Sequence, residues 1–415
     1  MIEYRTHTLS NGLRVTVNRD RTSQMAAVNM LYGVGARNEE PSRTGFAHLF
    51  EHLMFRGTRQ VPDFDLPVQM ACGDNNAFTN NDYTDYYITL PKDNVETALW
   101  LESDRMTGLD IGPEVLETEK RVVIEEFNQR ILNQPYGDQW MLLREMVYKV
   151  HPYRWSTIGL TPDHIAGASL DEVRAFYRRY YTPSNAILSV SADLEPERIF
   201  ALAERWFGDI ADRGTAPDPL PAEPPQTEAR RLEIARDVPA RTLTLAFLMP
   251  GGRLSRTHYL CDLMTDLLAG GQSARLYRSL VREQGLFSSV NAYISGDMDP
   301  GTVVLTGRLS PGTELARGEE AMWRELHRLQ NEPAGEYELE KVKNKFEAGT
   351  LFGELNVMNK AMNLGYYTLL GDLSLLNGEV TVYRSIAPEE IMETARRIFR
   401  PERCSTLIYG PLCNR

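Results

Sequence analysis

The chain has 415 residues, 42% of them apolar and 25% charged, with a net charge of −12 and an isoelectric point near 5.2. That length exceeds what one hydrophobic core serves, so two domains are expected. The acidic balance excludes nonspecific nucleic-acid binding, which needs Lys and Arg to neutralise phosphates. No apolar run reaches the roughly eighteen residues of a membrane helix. Residues 1–7 lack a basic segment followed by an apolar core, so no secretory leader is expected, and the expected location is the cytoplasm, or the periplasm if a leader has been removed. Cys72, Cys261, Cys404 and Cys413 show no ligand spacing and read as reduced thiols.

In chain order, the first element that carries chemistry is the stretch 45–55, with His48, Glu51 and His52. Positions i and i+4 share a helix face, so both imidazoles can approach one cation while Glu51 stays within reach of a water held there. The competing reading is an amphipathic helix whose His and Glu face solvent. A catalytic zinc takes a third protein ligand, and a carboxylate is the best candidate. The segment 113–130 reads as a helix: Pro113 suits its first turn, acidic residues crowd its start and apolar residues recur at helical spacing. Glu119 and Glu126, seven apart, share a face, so one can serve the metal and the other can support it; Glu125 points elsewhere.

Residues 214–226 hold five prolines in thirteen positions and read as an extended linker. This gives expected domains 1–213 and 228–415, joined by linker 214–227. Each half ends in a helix followed by a strand: 170–181 then 186–192, echoed by 388–399 then 405–410, which points to duplication. Strands separated by long helical stretches argue for an α+β sheet-and-helix layer in each half. His258 and His327 of the second half lack acidic partners at ligand spacing, so that half reads as noncatalytic. Gly270-Gly271-Gln272-Ser273 is not followed by the Lys of a phosphate loop.

With these motifs in place, the chain resembles the inverted-motif zinc peptidases, the group of pitrilysin, insulin-degrading enzyme and mitochondrial processing peptidase, and is closest to its short two-domain members. His48-x-x-Glu51-His52 with Glu119 through Glu126 carries the likeness. The runs 9–15, 32–39, 76–87, 181–188 and 270–277 extend it over nearly the whole chain. The resemblance implies two similar α+β domains, with His48, His52 and Glu126 as zinc ligands. It makes Glu51 the general base, Glu119 a supporting acid, and Asn76, Ala77 and Phe78 an edge strand that pairs with substrate backbone. The implied reaction is hydrolysis of short or unfolded peptides by metal-activated water, with zinc favoured although cobalt or manganese suits such ligands.

One departure stands out. Family members that bind substrate with both halves carry an Arg and a Tyr after the Gly-rich segment of the second half; here Arg282 matches, but Ser288 stands where the Tyr is expected. A serine hydroxyl cannot reach as far as a phenol. The expectation is therefore a zinc-bearing subunit that pairs with a homologous chain. A homodimer in which Phe287 or a neighbour replaces the Tyr is the alternative. The rival function is a noncatalytic scaffold of the same fold, and a zinc hydrolase acting on other carbonyls is a third reading.

Overall fold

Strand burial follows strand position. In the computed structural model, which describes residues 1–215 and 219–412, six strands of the first half form one sheet: β1 (Arg5–Thr8), β2 (Arg14–Arg19), β3 (Met25–Tyr32), β4 (Asp74–Thr79), β5 (Thr84–Pro91) and β6 (Ala186–Ala192). Their order is β1-β2-β6-β3-β5-β4. The central strands β3 and β6, rich in small and apolar side chains, are buried on both faces, whereas β1 at the rim is exposed throughout. β2 runs parallel to β6, and the other pairings are antiparallel.

A second sheet is built from β7 (Arg230–Arg236), β8 (Thr242–Leu248), β9 (Phe287–Ile294), β10 (Thr302–Leu309) and β11 (Ser405–Pro411), in the order β7-β11-β8-β10-β9. Only β7 and β11 pair in parallel. Substituting β7, β11, β8, β10 and β9 for β2, β6, β3, β5 and β4 reproduces both order and direction. The duplicated α+β layer expected from the sequence is present.

The two compact units are not the two linear halves. The first combines Met1–Asn128, Trp155–Leu220 and Thr350–Gly378; the second combines Gln129–Arg154, Pro221–Gly349 and Glu379–Arg415. The division into 1–213 and 228–415 is therefore amended, because each half lends a helical segment to the other's unit. The reason lies in packing. The helix Val357–Leu370 covers β2, β3 and β6. Its approach is so close that a Cβ on Gly365 would stand 2.9 Å from Asn29 Nδ2 and 3.3 Å from Ser189 Oγ. In the second unit the helix Gln139–Val147 buries Leu143, Met146 and Val147 against Ala246, Val304 and Leu407 of the sheet.

Of the proline-rich linker, residues 216–218 lie outside the described residues. The part after it is fastened to the second unit, where the Glu223 carboxylate accepts hydrogen bonds from the backbone amides of Lys149, Val150 and His151 at 2.8, 2.9 and 2.9 Å. Cys72, Cys261 and Cys404 are free thiols, as expected; Cys413 falls outside the described residues. Among the described residues no helix is long and apolar enough to cross a membrane.

Candidate metal centre

The helix Phe46–Leu53 begins at Gly45, whose φ of 92° lies in the left-handed region that glycine tolerates. Its first turn has no side-chain cap of the usual kind. Instead the buried Glu39 carboxylate, six residues upstream, accepts from Gly45 N at 2.9 Å and from Ala47 N at 2.8 Å. Burial pushes the Glu39 carboxyl up to about 8 even though these amides favour its ionised form. Phe46, Leu49, Phe50 and Leu53 are buried in the first core, with Phe50 stacked on Phe176 at 5.0 Å. That burial turns His48 and His52 toward the helix Pro113–Phe127, which buries Leu116, Val123 and Phe127 on its own inner face.

Between the two helices three side chains converge. His48 Nε2 lies 3.6 Å from Glu126 Oε2, and His52 Nε2 lies 3.4 Å from the same oxygen. The imidazole rings meet edge to face at 4.9 Å, and one ligand atom from each of the three residues falls within 4.8 Å of the others. Ligand atoms about 2.0–2.2 Å from a tetrahedral zinc stand roughly 3.3–3.6 Å apart. The two His to Glu126 distances match that span, and the donor set, two imidazoles and one carboxylate, suits zinc.

Behind the triad, Glu119 presents Oε2 to His52 Nδ1 at 3.7 Å, an ion-pair distance rather than a hydrogen bond. Its Oε1 is 2.6 Å from Arg56 Nε. Burial works against the Glu119 anion, but His52 and Arg56 outweigh it and hold the carboxyl below its ordinary value. Burial likewise works against the His52 imidazolium, and Glu119, Glu126 and Glu51 outweigh that and raise its pKa. Glu51 is half-buried beside His52 and outside the triad. Glu125 is exposed.

Asn76, Ala77 and Phe78 lie on β4, the outermost strand of the first sheet, which pairs with β5 on one side and leaves its other edge open among the described strands. Ala77 N donates to Asn76 Oδ1 at 2.8 Å instead of to a neighbouring strand. Phe78 meets Tyr83 edge-on at 5.7 Å.

Arg282 belongs to the second unit and is exposed on the helical turn Tyr277–Glu283. Ser288 is exposed too, its Oγ donating to Arg308 O at 3.2 Å. Phe287 does not stand in for the expected Tyr: it is 1% exposed and its ring fills the second core beneath Gly307 and Gly318. An irregularity in the β9–β10 register at Arg308/Leu309 separates the two residues, burying one and exposing the other.

Two residues of the site escaped the sequence reading. Arg56 continues the stripe 48–52 by one further turn, a signal that was available. Glu39 left none, because a cap from six residues upstream follows no capping spacing.

A family model described as insulinase (peptidase family M16) matches residues 14–150, and one described as the peptidase M16 inactive domain matches residues 167–346. The chain belongs to this family. Zinc protease PqqE of Helicobacter pylori is 27% identical over 97% of this chain and 92% of that protein. An uncharacterized zinc protease of Bacillus subtilis, YmxG, is 26% identical over 97% of each. The crystal structure of a protease from Helicobacter pylori superposes with a TM-score of 0.93 at 26% identity, covering 99% of this chain and 100% of that one.

Proposed function

We propose that this chain is a zinc metallopeptidase that hydrolyses short or unfolded peptides. One observation carries the reading: His48 Nε2 and His52 Nε2 each lie at zinc-ligand spacing from the same Glu126 oxygen, 3.6 and 3.4 Å, with ligand atoms of all three residues within 4.8 Å of one another. His48, His52 and Glu126 hold the ion, which supplies Lewis acidity toward a carbonyl and toward water. Glu51 takes the proton from the attacking water and returns it to the leaving amine. Glu119 orients His52. The open edge of β4 pairs with an extended peptide backbone through Asn76, Ala77 and Phe78, a mode of recognition that makes little demand on sequence and favours peptides over other carbonyl substrates. The first unit is the catalytic one; the second, with Arg282, handles substrate.

Two features support a division of labour between homologous chains: Ser288 offers only a short hydroxyl, and Phe287 is committed to the core. The chain is then the zinc-bearing member of a heterodimer. A noncatalytic scaffold has no use for a complete ligand set, His48, His52 and Glu126, with Glu51 beside it, which disfavours that rival.

The test measures bound zinc and peptide turnover for wild type and Glu51→Gln, each alone and with a homologous chain. Glu51→Gln should keep its zinc and lose turnover by about 10²–10⁴-fold. Undiminished turnover removes Glu51 from the chemistry. Full activity of the chain alone, unchanged by any partner, removes the heterodimer.

A further inference from the structure

Arg56 stands just beyond the helix Phe46–Leu53, where Phe55 N donates to His52 O and Arg56 N to Leu53 O, both at 3.1 Å. These tight turns continue the helical winding, so residues 48, 52 and 56 line one side. Across from them, the Glu119 side chain is 1% exposed whereas that of Arg56 is 48% exposed. The guanidinium lies between a buried carboxylate and solvent. A buried carboxylate is costly unless paired, and a guanidinium neutralises it without removing the oxygen that faces the metal ligand. The two Glu119 oxygens are divided accordingly, Oε1 at 2.6 Å from Arg56 Nε and Oε2 at 3.7 Å from His52 Nδ1. On the same imidazole Nε2 faces Glu126.

We propose that Arg56 is a positioning residue for the metal centre: it holds the Glu119 carboxylate in place as the charged partner facing His52 Nδ1, so that His52 presents Nε2 to the ion. The role rests on the zinc reading above. It also balances charge, since Glu51, Glu119 and Glu126 face one divalent ion and one guanidinium. Lysine at this position carries the charge on a single flexible donor and restores the arrangement only in part.

The experiment uses the full chain and measures zinc dissociation constants by competition with a chromophoric chelator, together with the melting temperature of the metal-free protein. The variants are R56K, R56M, E119Q, the double variant R56M/E119Q, and H52A. R56M should weaken zinc on the order of 10-fold, within the range for partners of metal ligands, and R56K should recover part of the loss. In the E119Q background R56M should change affinity by less than about twofold, because contacts acting through one shared partner are not additive. Equal losses in both backgrounds would overturn the proposal. So would tighter zinc binding by R56M, which would make the guanidinium merely a repelling charge, or unchanged affinity accompanied by a lower melting temperature, which would make it merely structural. Absence of zinc binding in wild type, or binding untouched by H52A, would instead overturn the zinc centre itself.

Discussion

At the scale of single residues, the centre is defined by the shared approach of two imidazoles to one oxygen of Glu126. Removing that oxygen should cost more metal affinity than removing any supporting contact. Glu126→Ala is expected to weaken zinc by more than about 100-fold, beyond the usual loss for outer partners, while the metal-free protein keeps its melting temperature, because Glu126 is only partly buried. Equilibrium dialysis with metal analysis reads this directly; zinc binding within tenfold of wild type would remove Glu126 from the ligand set. Spacing within single helices made His48, His52, Glu119 and Glu126 legible in the sequence, since helical geometry is local. Ser288 was legible as a departure. The burial of Phe287 beside it was not, because it depends on the register between β9 and β10, which no local pattern encodes.

At the scale of elements, the start of the helix Phe46–Leu53 depends on Glu39. Glu39→Ala leaves the Gly45 and Ala47 amides without their acceptor, at a cost of about 1–3 kcal/mol in chemical denaturation of the metal-free protein. Glu39→Gln keeps the shape but cannot ionise. The folded carboxyl titrates near 8 and an ordinary one near 4.5, so the native state holds a proton that the unfolded chain releases. Its contribution is fully present below pH 4.5 and lost as pH rises toward 8. Across that window the stability of Glu39→Gln should fall less steeply than that of wild type. Parallel pH profiles would contradict the assignment.

The open edge of β4 gives a second test at this scale. Because Ala77 N donates to its neighbour's side chain and not into the ladder, Ala77→Pro removes an outward donor at a position where proline is tolerated. Its KM for peptides should rise several-fold, with zinc content and melting temperature near wild type. An unchanged KM would argue against strand addition at this edge.

At the scale of the whole molecule, the two units interleave three chain segments each. The sequence made the duplication legible through the echoed helix-strand endings, and the common strand order bears it out. It did not disclose the exchange of helices, since an apolar helix face says that it will be buried but not against which sheet. Asn29 and Ser189 under Gly365 are polar residues on the sheet face that the helix Val357–Leu370 covers. A fragment ending at residue 213 lacks that helix and should fail to give a cooperative melt. Adding residues 350–378 through a linker should restore one. A cooperative melt of fragment 1–213 would contradict the division.

The most direct measurement is anomalous diffraction at the zinc edge from crystals of the full chain grown with zinc. A single peak is expected about 2.0–2.2 Å from His48 Nε2, His52 Nε2 and a Glu126 carboxylate oxygen. A stoichiometrically bound ion located elsewhere, with those three side chains uncoordinated, would contradict it.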